Sequence, residues 1–149
     1  MDQNNEINEK ELAQAVGRSM FERDNASRSL GMRITSIGPG HAVMEMTVRD
    51  DMLNGHGTCQ GGFMFTLADS AFAFACNSYN RNTVASSCSI DFLAPACKGE
   101  VLIADAREMS RSGRTGVYDV NVLNQAGVRV ALFRGKSYEI KGAVIPMST

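Results

Sequence analysis

The feature that most limits what this chain can become is an absence of charge. From Met52 to Asn80, "MLNGHGTCQGGFMFTLADSAFAFACNSYN", the only formally charged side chain is Asp69. The part from Gly61 or Gly62 to about Tyr79 reads as a helix, and a helix apolar on nearly every face must be surrounded by protein. It is not a bilayer span. The oily run Phe63 to Cys76 is interrupted by Thr66, Asp69 and Ser70 and falls short of the about 20 apolar residues that a crossing needs. The rest of the chain must therefore wrap it, and a chain of 149 residues can, because at that length roughly 70% of the unfolded surface is buried on folding.

The wrapping is legible in the flanks. Residues 32–37 and 41–49 read as strands around "GPG", with Ala42, Met44, Met46 and Val48 alternating against mostly polar neighbours to give a half-buried hairpin. After the helix, "VASSCSIDFL", "EVLIADAREM", "GVYDVNVLN" and "VRVALFRGKSYEI" read as four strands, expected as a meander of antiparallel neighbours. Before the hairpin, Asn8 with Glu11 has capping-box spacing and Leu12, Val16 and Met20 recur on one face, which predicts an amphipathic helix over 9–24. One long internal helix for five or six strands excludes alternating βαβ winding. The expected fold is α+β, an antiparallel sheet around one buried helix, as one domain over 1–149 with fraying at 1–7 and 142–149.

With 44% apolar and 21% charged residues the chain lacks the signature of disorder, and a net charge of -1 provides no broad basic footprint for nucleic acid or an anionic membrane. An anionic ligand has to be held locally. The N-terminus, "MDQNNEINEKELAQ", has neither the basic segment nor the apolar core of a secretory signal and reads as cytoplasmic. Cys59, Cys76, Cys88 and Cys97 form no C-x-x-C pair, and the histidines are His41 and His56 alone, so no metal site is expected and the thiols read as reduced and packed.

The chemistry concentrates in "NGHGTCQGGFMFTLAD". A helix starting at Gly61 and Gly62 presents backbone N–H groups without intrahelical partners and about half a positive charge, a seat for a developing oxyanion. A glycine there lets a carbonyl approach the backbone closely; the competing reading is a tight turn into the helix. Asp69 lies two turns in, too far along to cap the helix. It is either a carboxylate satisfied by a neighbouring segment or a nucleophile or general base.

These residues, with "SCSIDFLAPA", "GRTGVYDV" and "VALFRGKS", resemble the hotdog-fold acyl-CoA thioesterases of the PaaI, phenylacetate-degradation type, from about Asp24 to Ile140. The resemblance implies a central helix wrapped by an antiparallel sheet, protomers paired through their sheets, dimers of dimers, and active sites shared between subunits. It implies hydrolysis of an aryl or hydroxyaryl acetyl-CoA, with coenzyme A entering as part of the substrate and no separate cofactor. By position, Asp69 is the carboxylate that attacks the thioester or activates water, the Gly61 N–H polarises the carbonyl, and Asn54 orients water or carboxylate. Gln60 stands where many relatives have histidine; it keeps an amide but supplies no proton near neutrality, so a positioning role is expected.

Gly62, and Ser87 with Ser86 in the strand after the helix, are expected near the substrate, without a nucleophilic serine because no G-x-S-x-G elbow is present. No phosphate loop of the G-x-x-x-x-G-K-[ST] type occurs, so the phosphates of coenzyme A fall to basic groups. The candidates are Arg111, the turn Ser112, Gly113, Arg114 and Thr115, and Arg134 with Lys136. His56 reads as a loop residue or a replacement acid, and Leu53, Phe63, Phe65 and Phe72 as acyl-pocket lining or plain core. The alternatives are a hotdog hydratase or dehydratase, which commonly needs a His with an Asp or Glu, and a non-catalytic acyl-CoA sensor or scaffold, which would have lost Asp69 or Gly61.

Overall fold

The computed structural model describes residues 2–147, with side chains from residue 8 onward. In chain order the elements are α1 (Asp2–Arg23), α2 (Asn25–Ser29), β1 (Arg33–Gly38), β2 (His41–Thr47), a 3-10 turn (Asp50–Met52), α3 (Gly61–Cys76), β3 (Thr83–Phe92), β4 (Val101–Ser112), β5 (Thr115–Leu123) and β6 (Arg129–Glu139). The strands form one antiparallel sheet in the order β1-β2-β4-β5-β6-β3.

The buried helix forms where the lack of charge places it. Met64, Leu67, Ala68, Ala71, Phe72, Phe74, Ala75 and Cys76 of α3 are buried. They meet the inward-facing alternation of the sheet, including Met44, Met46, Leu102, Val120 and Phe133, in one core. Phe72 marks how closely helix and sheet approach: a Cβ at Gly135 of β6 would lie 2.9 Å from three atoms of its ring. The helix stops at Cys76, three residues before the expected end. There Asn77 donates to the Ala73 carbonyl (2.9 Å) and the Thr83 carbonyl (3.0 Å), turning the chain into β3.

Three expectations need correction. The four later strands are not a simple meander: β4, β5 and β6 are, but β3 pairs only with β6 and takes the far edge, while β4 pairs with β2. The cause is visible in the strand itself, since Cys88 and Ile90 are half-buried and most other positions of β3 are exposed, a pattern that suits an edge and not the middle of a sheet. Secondly, α1 begins at Asp2, so Asn8 lies inside the helix rather than capping it. Ala13 and Val16 bury its inner face, and Gly17 permits close packing, a Cβ there falling 2.8 Å from Ile37. Thirdly, the chain breaks after Arg23 and restarts as α2, capped by Asp24. Of the expected fraying, residues 1, 148 and 149 lie outside the described residues.

Candidate active site

Asn54 organises the loop that enters α3. Its Oδ1 accepts from the backbone N–H of His56 (2.9 Å) and of Thr58 (3.2 Å), and its own N–H donates to the Thr58 carbonyl (2.8 Å). The Gln60 N–H donates to the Met52 carbonyl (2.8 Å), and Gln60 takes the extended N-cap conformation without using its side chain to cap the helix. Two donors are left over. Neither the Gly61 nor the Gly62 N–H has an acceptor among the described residues, the situation expected at a helix start. The Gln60 and His56 side chains are exposed, and neither makes a hydrogen bond among the described residues.

Beside these donors lies an open cavity of about 460 Å³ lined by Asn54, Thr58, Gly61, Met64, Phe92 and Leu93, among others. The Phe92 ring rests on Gly61 so closely that a Cβ there would lie 2.7 Å from its tip. Thus any side chain at this position would displace the Phe92 ring within the cavity. Phe92 and Leu93 are each 53% exposed. Sequence reading missed Met64, Phe92 and Leu93 as lining; the signal available was the apolar pair closing the edge strand next to the glycine turn. Of the acyl-pocket candidates, Phe72 is core, edge-on to Tyr118 at 5.5 Å, and Phe65 packs on Phe133 at 5.4 Å. None of Leu53, Phe63, Phe65 or Phe72 lines the cavity.

Asp69 does not line it either. The side chain is half-buried and makes no hydrogen bond or ion pair among the described residues. Burial, with nothing to offset it, pushes its pKa above the ordinary 3.8. Its charge adds to the burial that raises the thiols of Cys76, up to about 12, and of Cys88.

At the other end of α3 stands the turn Ser112–Thr115. Gly113 adopts a left-handed φ of 59°, and the Thr115 hydroxyl donates to the Ser112 carbonyl (3.0 Å). The Arg114 carbonyl accepts from the Glu139 N–H (2.7 Å), leaving the guanidinium exposed and without an ion pair among the described residues. Arg111 lies over the Tyr79 ring at 3.6 Å and 3.6 Å from Glu108, which also accepts from Tyr79 (3.0 Å) and buried Tyr118 (3.1 Å). That cluster was not anticipated from sequence.

Between the two ends, Arg134 is held by Asp119 through two bonds, Nε–Oδ1 at 2.6 Å and Nη2–Oδ2 at 2.9 Å. Lys136 is exposed opposite exposed Ser87, and the Ser86 hydroxyl donates to the Lys136 carbonyl (3.1 Å) at a bulge. One protomer therefore separates its candidates: Asn54, Gln60, Gly61 and Gly62 at the helix start, Asp69 two turns into α3, and the basic turn at the helix end. Among the described residues no group of three His, Cys, Asp or Glu is placed to hold a metal ion, and no helix is long and apolar enough to cross a membrane.

Comparison with known proteins follows the same lines. A family model described as the thioesterase superfamily matches residues 56–131. The chain is 49% identical over 126 residues to the acyl-coenzyme A thioesterase PaaI of Escherichia coli, covering 85% of this chain and 90% of PaaI. The solved E. coli PaaI structure, from the phenylacetic acid degradation operon, superposes with a TM-score of 0.89 at 47% identity over 90% of this chain and 97% of that one. A mutant of the phenylacetic acid degradation protein PaaI from Thermus thermophilus gives a TM-score of 0.76 at 41% identity, over 78% of this chain and 100% of that one. A Streptococcus mutans protein bound to acetyl-CoA gives 0.73 at 28% identity, over 75% and 90% of the two chains.

Proposed function

The chain belongs to the thioesterase superfamily as a hotdog-fold acyl-CoA thioesterase of the PaaI type, and from that premise we propose how its own residues cleave the thioester. The substrate carbonyl sits in the cavity beside Asn54, its oxygen accepting from the Gly61 N–H with Gly62 adjacent. A preorganised donor of this kind contributes about 3 kcal/mol to an acyl-transfer transition state. The Asp69 carboxylate, made more basic by burial, attacks the carbonyl carbon or takes a proton from the water that does. The C–S bond then breaks and coenzyme A leaves as thiolate, which is stable enough to depart without the histidine that Gln60 replaces; Gln60 orients the acyl group through its amide.

The observation that carries the reading is the separation of the parts. Asn54 and Gly61 share a cavity that Asp69 of the same chain does not line, while Asp69 stands half-buried and unpartnered two turns into α3, and the outer edge of β3 is unpaired among the described residues. An exposed edge strand is a template for a second copy. Antiparallel β3-to-β3 pairing about a two-fold axis brings the α3 start of one protomer to the α3 end of the other. The cavity then meets Asp69 of the partner subunit, and the turn Ser112, Gly113, Arg114 and Thr115 lies where phosphates of the bound coenzyme A can be held. Lys136 and Ser87 flank that path; Arg134 reaches phosphate only by sharing its guanidinium with Asp119. The dimer is the catalytic unit, and two dimers form the tetramer.

The apolar lining of Met64, Phe92 and Leu93 suits an aryl acyl group, which favours phenylacetyl- and hydroxyphenylacetyl-CoA as substrates. Coenzyme A is needed only as the carrier in the substrate. The cytoplasm is the compartment proposed, consistent with four free cysteines. The test follows thiol release from phenylacetyl-, hydroxyphenylacetyl-, benzoyl- and fatty acyl-CoA with the native chain beside Asp69→Asn. Hydrolysis should favour the aryl acetyl esters and fall by about 10²-fold or more in the variant. Release by Asp69→Asn at the native rate refutes the role of Asp69. A single turnover in ¹⁸O-water, with the protein and the acid both weighed by mass spectrometry, reads the two chemistries: direct attack forms a mixed anhydride that, opened by water at the Asp69 carboxyl carbon, puts the label on Asp69 and none in the first product, whereas activated water labels the product and never Asp69.

A further inference from the structure

The helix that carries Asp69 has almost no polar link to the rest of the molecule. Thr66 donates back to the Gly62 carbonyl of its own helix (2.8 Å), and Asp69 has no partner among the described residues. Ser70 is the one α3 side chain seen to hydrogen-bond another element: its Oγ lies 2.9 Å from Oγ of Ser27 in α2. Ser27 is fully buried, its hydroxyl donates to Asp24 Oδ2 at 2.6 Å, and its N–H donates to Asp24 Oδ1 at 2.9 Å. With the single Ser27 hydroxyl proton committed to the carboxylate, the contact between the serines runs one way, from Ser70 to Ser27. A directional chain results, ending on a charged acceptor, the stronger class of hydrogen bond.

Met64, Leu67, Phe72 and Phe74 anchor α3 in the core, but apolar burial is not directional, and the directional contact on the side of the helix that carries Ser70 is the link to Ser27. Side-chain tips ride about 5–6 Å from a helix axis, so a rotation of about 10° carries a carboxylate about 1 Å, enough to cost up to about 10²-fold in rate. We propose that the chain Ser70–Ser27–Asp24 is the positioning device for Asp69: by locking α3 against α2 it fixes the direction in which the adjacent, half-buried carboxylate points. Ser70 and Ser27 touch no reacting atom. The kinetic consequence rests on the catalytic reading of Asp69 given above; the aiming itself does not.

The test uses the full-length protein as Ser70→Ala and Ser70→Thr, reading kcat and KM for phenylacetyl-CoA and the titration of the Asp69 carboxyl by ¹³C NMR. Ser70→Ala should lower kcat about tenfold with KM within about twofold, and lower the Asp69 titration midpoint as the carboxylate swings toward water. Ser70→Thr, which keeps the donor, should restore most of both. An Asp69 midpoint unchanged in Ser70→Ala overturns the proposal. If Asp69→Asn proves fully active the catalytic reading falls, and the midpoint still decides the aiming. Should Ser70→Ala not fold, Ser70→Cys, close in volume but a weak donor, carries the same readouts.

Discussion

Two glycines face similar steric conflicts, and the structure separates their outcomes. A Cβ at Gly61 would lie 2.7, 2.9 and 3.2 Å from three atoms of the Phe92 ring, against about 3.5–4.0 Å for an ordinary contact. The ring has to move by about 1 Å, and the open cavity of about 460 Å³ that it lines gives it the room. Little stability is lost, so the melting temperature of Gly61→Ala should stay within about 2 °C of the native protein. The damage is catalytic: the new methyl and the displaced ring crowd the place where the carbonyl meets the Gly61 N–H, and a displacement of about 1 Å costs about 10²-fold in kcat/KM. Gly135→Ala is the control. Its Cβ would lie 2.9 Å from three ring atoms of Phe72, which is 1% exposed and has nowhere to go. Overpacking of this kind costs about 1–3 kcal/mol, which lowers Tm by about 3–10 °C, while kcat/KM in the folded fraction holds. Thiol release and thermal melts on the two variants decide it. Gly61→Ala hydrolysing phenylacetyl-CoA within about threefold of the native rate would refute the placement of the carbonyl at the helix start.

Asp69→Asn should be more stable than the native chain at pH 7. A folded-state pKa raised above 3.8 means the folded protein holds the proton longer, so native stability falls as pH rises from 3.8 through the raised value, and denaturant melts should show the advantage of the variant vanish below about pH 4. For the same reason the acid limb of the native kcat profile should lie above 3.8, and a limb at or below that value contradicts the burial argument. Asn54→Asp keeps the acceptor that organises residues 56–58 but loses the amide donor, whereas Asn54→Ala loses both. Equal stabilities for Asn54→Asp and native, with Asn54→Ala lower by about 1 kcal/mol, is the expected pattern, and activity lost in Asn54→Asp then reports the amide donor exchanged for a negative charge beside the carbonyl seat.

Much of the fold was legible because it follows from one physical demand. A helix with Asp69 as its only charge must be wrapped, and strands with period-two burial such as His41–Thr47 and Thr115–Leu123 are what wraps it. The position of β3 was not legible, since pairing between distant strands leaves no local mark beyond the polar run "SSCS" that suits an edge. The start of α1 was obscured because Asn8 and Glu11 match a capping box while the helix passes straight through them. At the site, Gly61 and Asn54 were found from turn chemistry and resemblance. Phe92 escaped because the reason it lines the cavity is the register of an edge strand against a helix start, a tertiary fact. Arg134 illustrates the reverse case: its sequence context suggests a phosphate ligand, and its geometry commits it first to Asp119.

The central claim, that each active site takes Asn54 and Gly61 from one chain and Asp69 from the other, is tested by mixing two inactive proteins. Asp69→Asn and Asn54→Ala/Gly61→Ala are co-expressed with different tags, and dimers carrying both tags are isolated. In such a dimer one site inherits both intact halves and the other inherits neither, so thiol release from phenylacetyl-CoA should return to about half the native rate per dimer. If the two halves of a site instead belong to one chain, no site in the mixed dimer is whole, and its activity stays at the level of the parent variants.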